Sequence, residues 1–393
     1  MSPAGDAPPD SAAPDEHERT SGTLGTRGVG VSGVCRHGKR ADMLVHEVEP
    51  FNAEPRPGVL AGCAITPLDA FYVRGHGSIP ELDARSWRLG VGGLVDRPLE
   101  LGVEELRDGR FTDRELVVTL QCAGNRRADL LAAGEIPGEA PWGPGATGTA
   151  TWRGVSLAEV IATAGARAAA SHVAFVGLDR AEETAPPQPF GASIPLAKAQ
   201  APEVLLAYEM NGHALRAVHG APLRVIVPGY IGARSVKWLQ RIELRSEPWD
   251  GYFQNIAYRL LAPDQQPGPG VGMALGEVPL NSAILNPHDG AHLAAGPVQL
   301  DGYAFAGGGR QIARVEVSHD HGTSWTRAQL RDDQGPWAWR LWHAQIELPP
   351  GEHELLARAW DTAAHTQPEH ARTVWNPKGY ANTSWAHTHI HTN

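Results

Sequence analysis

A proline- and glycine-rich stretch, Pro263-Asp264-Gln265-Gln266-Pro267-Gly268-Pro269-Gly270, divides the chain into two parts whose residue patterns demand different folds. Such a stretch continues neither a helix nor a strand ladder, so it reads as a linker. Beyond it, apolar and polar residues alternate at 298–304, 313–317, 337–342 and 354–360, with the period of half-buried strands. The turn signals Gly307-Gly308-Gly309 and Asp320-His321-Gly322 fall between these runs. Short strands at this spacing predict an immunoglobulin-like all-β sandwich over 281–393, with 263–280 as the linker. Its many tryptophans read as core and interface packing. Before the linker, strand-like runs recur at 87–91, 116–120, 172–176 and 223–227. Helices are few there. Ser156-Leu157-Ala158-Glu159 has the form of a capping box, opening a helix that Gly165 closes. This balance predicts an α+β domain over 45–262 rather than a doubly wound sheet.

Composition narrows the chemistry. A formal net charge of -10 over 393 residues, with no run of Lys and Arg, argues against a nucleic-acid surface. Any small-anion site must then be a local basic pocket in an acidic protein. No Gly-x-Gly-x-x-Gly follows a strand and no Walker lysine loop occurs, which speaks against a nicotinamide, flavin or nucleotide site. Nowhere do 18 apolar residues run together, so no membrane span is expected. Residues 1–44, rich in Pro, Ala, Ser, Gly and Asp, are expected to be a disordered tail without the form of a secretory signal. Within it, Arg36-His37-Gly38-Lys39-Arg40 reads as a solvated linker. The cysteines Cys35, Cys63 and Cys122 are odd in number and widely spaced, so no disulfide framework or zinc ribbon is expected. A cytoplasmic location follows from these readings.

The segment Leu120-Gln121-Cys122-Ala123-Gly124-Asn125-Arg126-Arg127 carries most of the chemical information. A cysteine closes a strand, and a small-residue bend brings two guanidinium groups beside it. Fixed positive charge favours the thiolate, the form that attacks electrophiles or binds soft metals. Arginine forks also match the oxygens of a small oxyanion. A buried structural cysteine beside surface arginines fits the same eight residues.

Further motifs accompany this segment in order: Phe51-Asn52-Ala53-Glu54-Pro55, Phe71-Tyr72-Val73-Arg74-Gly75-His76, Gly191-Ala192-Ser193-Ile194-Pro195 and Leu205-Leu206-Ala207-Tyr208-Glu209-Met210-Asn211-Gly212. Then come His219-Gly220-Ala221-Pro222-Leu223-Arg224, Gly232-Ala233-Arg234-Ser235-Val236-Lys237-Trp238-Leu239 and Trp339-Arg340-Leu341-Trp342. From about residue 51 onward the chain resembles the sulfite oxidase family of molybdenum enzymes. The resemblance implies an α+β molybdopterin-binding domain followed by the sandwich, and a homodimer formed through the sandwich. It implies a molybdenum cofactor, the pyranopterin dithiolene molybdopterin, with Cys122 as the thiolate on the metal. Sulfite would be oxidised to sulfate, a step of sulfur metabolism. No cytochrome b5-like module or Cys-x-x-Cys-His is recognised, so electrons are expected to pass to a separate acceptor, a cytochrome or oxygen.

The resemblance also assigns residues. Arg74 and Arg127 line the anion pocket with Trp142 and Lys378, and Tyr258 lies near the metal. Tyr72, Arg74, His76, Cys122, Asp179, His219, Arg224, Ser235 and Lys237 hold the cofactor. Arg126 ranks behind Arg127 and is expected to hold the local turn through carbonyl hydrogen bonds. Three residues depart from the animal enzymes' pattern. Ser235 replaces a histidine, Ala257 an aspartate, and Lys378 an arginine, which keeps charge but loses the bidentate fork. Alternatives are an oxidoreductase for another small oxyanion or sulfoxide, a cysteine-nucleophile enzyme, and a non-catalytic binding scaffold. His387, His389 and His391 share one face of an extended C-terminus, either a chelating set or adventitious histidines on a final sandwich strand.

Overall fold

The computed structural model describes residues 30–31, 35–181 and 183–393. The tail expected over 1–44 lies largely outside the described residues, but its end does not behave as a tail. Leu44–Glu47 is a strand paired with Asn52–Glu54. Lys39, expected in a solvated linker, is 1% exposed. Its ammonium donates to the carbonyls of Leu68 (2.6 Å) and Phe71 (2.8 Å).

Beside the small sheet that holds Leu44–Glu47 and Asn52–Glu54, two five-stranded sheets build the first domain. One joins Asp113–Gln121, Thr147–Ser156, Leu205–Met210, His213–Ala214 and Arg224–Ile226, all antiparallel. The other runs Leu99–Leu101, Leu89–Gly93, Leu239–Arg245, His172–Ala181 and Gln188–Pro195. Its Leu89–Gly93 and Leu239–Arg245 strands pair in parallel and its other pairs are antiparallel. Short helices fill the connections. Leu157–Ala164 buries Leu157, Val160, Ile161 and Ala164 on one face, and Gly165 closes it at φ 74°. The expected capping box does not form. Ser156 makes no side-chain cap, and the Glu159 carboxylate instead accepts from the backbone N–H of Thr112 at 2.6 Å. That loop donor lies 47 residues away in sequence, outside any local pattern.

The stretch expected as linker divides in two. Its proline-rich start is largely exposed, but Met273–Ala274 pairs with Arg259–Leu260. Leu275, Val278 and Leu280 are buried. Apolar burial at these three positions outweighs the glycines around them, so the chain stays packed until the sandwich begins.

The sandwich has the expected two sheets. Asn281–Asn286, Gly296–Phe305, Arg340–Leu348 and Gln329–Leu330 form one. Ala291–Leu293, Ala386–Thr392, Gly351–Asp361, Ile312–Ser318 and Thr326–Arg327 form the other. Leu300, Val315, Val317, Trp342, Leu355 and Ala357 are sealed between them. Each of the larger side chains contributes roughly 1.5–3 kcal/mol by leaving water. Trp337 and Trp339 precede the strand they were expected to share and dock on the first domain. Thr119 N–H donates to the Trp337 carbonyl (2.9 Å), and Trp339 donates from its backbone to Thr119 Oγ1 (2.7 Å) and from its indole to the Ala64 carbonyl (3.1 Å). The C-terminal histidines lie on the outer side of the last strand, with His387 against Glu354 and His391 against Glu352. No cluster of three or more metal-ligating side chains occurs among the described residues. Nor is any described helix long and apolar enough to cross a membrane.

Candidate active site

Burial rises along Asp113–Gln121, from an exposed Asp113 to a buried Gln121, so the strand delivers residue 122 into the interior. Cys122 is 7% exposed; its N–H donates to the Ala146 carbonyl (2.9 Å), and its Sγ accepts from Gly124 N–H (3.4 Å). Arg126 then takes the left-handed conformation, φ 61°, ahead of the short helix Arg127–Leu130. This sends the two guanidiniums apart. Arg126 crosses to the sandwich and donates to the carbonyls of Ser282 (2.7 Å), Ser384 (2.9 Å) and Trp385 (2.8 Å). It bonds carbonyls as expected, though those of the other domain rather than the local turn. Arg127 folds back over the bend. A Cβ on Gly124 would lie 2.7 Å from its Cζ, so the glycine between cysteine and arginine makes the fold-back possible.

The thiol differs from the sequence expectation. Burial pushes Cys122 above its ordinary range, and Arg127 and Arg74 only partly offset this. The metal-free protein therefore holds a thiol rather than a thiolate, and ligation of a metal would release its proton.

Cys122 opens onto a cleft lined by Tyr72, Arg74, His76, Asp179, His219, Arg224, Ser235, Lys237 and Tyr258. All nine residues assigned from sequence to the cofactor meet in this cleft. Asp179 Oδ1 and Arg224 Nε are buried without a hydrogen-bond partner, which is costly unless a ligand supplies one. Burial pushes the Asp179 carboxyl up and the Lys237 ammonium down, each drawn partly back by the other. Lys237 donates to the Arg74 carbonyl at 3.0 Å. Lys39 Nζ lies 2.6 Å from His219 Nε2 and holds that ring from behind. Orphaned polar atoms, cationic donors and a buried sulfur in one cavity suit a polar, phosphate-bearing group attached to a soft metal.

Arg74 and His76 also line an adjoining pocket with Arg127, Trp142, Tyr380 and Lys378. The four residues assigned to the anion pocket, Arg74, Arg127, Trp142 and Lys378, all line this second cavity, while Tyr258, assigned near the metal, lines the first and Arg74 lines both. The pocket is not the basic one expected. Arg74, Arg127 and Lys378 are matched by Glu47, Glu139 and Glu183 around the same space. Glu139 and Lys39 carry no signal in the sequence: one sits in a Gly- and Pro-rich loop, the other in what reads as a tail.

His76 joins the cavities. Its Nε2 lies 2.7 Å from the Tyr258 hydroxyl and its Nδ1 2.5 Å from Glu183 Oε1. Burial, then Arg74, lowers the His76 pKa to about 4 against an opposing pull from Glu183, so the ring is neutral near pH 7. Burial raises the Tyr258 phenol well above its ordinary range and keeps it protonated. The carboxylate fixes the proton on Nδ1, so Nε2 accepts from Tyr258. The unfolded chain's His76 binds a proton below about pH 6.5, the folded one only below about pH 4. Folding stability is therefore intact above pH 6.5 and falls as pH drops through that window, by up to about 3 kcal/mol from this residue. Chemical unfolding at pH 7 and pH 4.5 checks the sign: His76→Gln should flatten the difference, and an equal slope would remove His76 as its source.

Residues 76–253 match the family model for an oxidoreductase molybdopterin-binding domain, and residues 273–393 match that for a Mo-co oxidoreductase dimerisation domain. Fold and site together thus define a molybdopterin-binding oxidoreductase. The chain is 38% identical over 376 residues to sulfite oxidase of Arabidopsis thaliana, covering 88% of this chain and 93% of that protein. It is 41% identical over 362 residues to mitochondrial sulfite oxidase of Mus musculus, and spans 65% of that protein's length. The crystal structure of the sulfane dehydrogenase SoxCD from Paracoccus pantotrophus superposes with a TM-score of 0.75 at 28% identity, over 87% of this chain and 85% of that one. The chain belongs to the sulfite oxidase family.

Proposed function

We propose that this protein oxidises sulfite to sulfate and passes the electrons to a separate acceptor, a cytochrome or oxygen. The observation that carries the reading is the pair Arg74 and His76, which lines both the cleft that holds Cys122 and the adjoining pocket. A small anion held there faces the cavity that contains Cys122. When bound, molybdopterin supplies the two-electron redox centre. The chain's residues do the rest. Cys122 ligates the metal, and Asp179, His219, Arg224, Ser235, Lys237 and Tyr72 bind and orient the cofactor. Arg74, Arg127 and Lys378 hold the substrate oxygens, and Trp142 walls the pocket. Tyr258 donates to His76 Nε2, and His76 donates from Nδ1 to Glu183, whose side chain is 45% exposed. That chain offers protons a route from the buried site to solvent.

The covalent-nucleophile alternative lacks a base. The hydrogen-bond partner of Cys122 Sγ is the backbone N–H of Gly124, not a histidine. Cys35, Cys63 and Cys122 are all unpaired, which fits a reducing compartment such as the cytoplasm. The match to a dimerisation domain over 273–393 supports a homodimer, and a monomeric mass by light scattering at micromolar concentration would count against it.

Metal and pterin analysis followed by sulfite-dependent reduction of ferricyanide, cytochrome c and oxygen in parallel tests the activity. Metal-replete protein that reduces none of them would remove the sulfite reading. Arg74→Gln should lower the specificity constant for sulfite ten- to a hundredfold, since a charge-assisted hydrogen bond contributes about 1.5–3 kcal/mol. An unchanged constant would take Arg74 out of the anion site.

A further inference from the structure

We propose that Glu139 is a tethered counter-anion that occupies the oxyanion position of the pocket and must be displaced by the substrate. Glu139 Oε2 lies 3.2 Å from Arg127 NH2, and its other oxygen pairs with Lys378 Nζ. One carboxylate thus bridges two of the three cations around the pocket, as a substrate anion would. The other two carboxylates there are engaged elsewhere, Glu47 with the Asn52 amide and Glu183 with His76. Arg127 also donates to the backbone carbonyls of Lys378 (3.0 Å) and Ala140 (2.8 Å), contacts that do not use the Glu139 side chain. Its guanidinium stays in place when the carboxylate leaves.

That departure needs only the Glu139 side chain to swing out, with the Ala140 backbone staying against Arg127. Pro137, Gly138 and Pro141 are exposed, and Gly138 has φ 78° with open space around it. The Glu139 side chain is 14% exposed, at the rim of the pocket. A chloride-sized or weakly held anion cannot match a carboxylate tethered to the same chain, whose local concentration is high. A multiply charged oxyanion that engages Arg74 as well as Arg127 and Lys378 can. Glu139 is thus a specificity-determining residue that sets a threshold of charge and oxygen count for entry.

The proposal rests on the anion-pocket reading above, so its test does not depend on turnover. Inorganic sulfate is titrated into the purified full chain by calorimetry, with molybdopterin content as the check on folding. Glu139→Gln should bind sulfate at least about tenfold more tightly, because it removes a like charge from a partly buried site. In the active enzyme the gain falls on KM for sulfite. Lys378→Gln added to Glu139→Gln should remove most of that gain, since the freed ammonium supplies it. Glu139→Asp, which keeps the charge but shortens the reach, should fall between wild type and Glu139→Gln, and it decides the case if the glutamine variant does not fold. Sulfate affinity unchanged or weaker in both single variants overturns the gate. Tighter sulfate binding without any sulfite oxidation keeps the gate and removes the sulfite reading instead.

Discussion

Cys122→Ser is expected to fold and retain its pterin while losing sulfite oxidation by orders of magnitude. The backbone at residue 122 is held by the Ala146 carbonyl, and the side chain's partner is the N–H of Gly124. A hydroxyl can accept from that donor, so the bend keeps its geometry and stability changes little. Cofactor retention should survive too, because the cleft keeps its donors from Arg74 to Lys237. Ligation does not survive. Serine is harder than cysteine and far less acidic, and burial already raises the acidity barrier at this position. Turnover, molybdenum content, pterin fluorescence and the visible absorption of the purified variant separate these effects. Wild-type turnover in the serine variant would make Cys122 structural and remove the metal-ligand assignment.

Arg126→Ala should cost about 3–5 kcal/mol of folding stability, the range for breaking a buried charged network. The guanidinium is 1% exposed and serves carbonyls of Ser282, Ser384 and Trp385 together. Its loss strands the buried Ser282 and Ser384 carbonyls and the half-buried Trp385 one, a buried acceptor being worth about 1–3 kcal/mol if left unpaired. Arg126→Lys should rescue little, because one ammonium cannot reproduce the planar fork. Equilibrium unfolding in urea measures the change. A loss below about 1 kcal/mol would show that water or a rearranged loop replaces these bonds.

Strands were legible because alternation at period 2 survives in runs such as 313–317 and a continuous apolar run marks a strand buried on both faces at 173–176, and the residues that meet in the cleft because their motifs come in family order. The rest depended on information that neighbours in sequence do not hold. Adjacent arginines imply an activated thiolate, yet burial decides the outcome at Cys122, and burial is set by strands far along the chain. Arg126 and Arg127 look equivalent until the positive φ at Arg126 turns them apart. Glycines and prolines around residue 270 announce a linker, whereas Leu275, Val278 and Leu280 are sparse apolar residues that only the packed structure reveals as core. Glu139 answers cations on two domains, a coincidence that no local spacing encodes.

Lys378 and Tyr380 belong to the sandwich, yet they wall the pocket of the first domain. The Tyr380 ring stacks on Tyr258 at 5.6 Å and lies under Arg127 at 5.2 Å. The unit that a domain map would set apart as an assembly module therefore supplies one cation and one aromatic wall of that pocket. A chimera that exchanged the sandwich would exchange recognition along with it. If the pocket holds the proposed anion, a shift of the sandwich against its neighbour acts on anion affinity, and by reciprocity a bound anion resists that shift. A stretch matched to dimerisation thus also reaches the pocket proposed for the anion, so assembly and selectivity share part of one polypeptide.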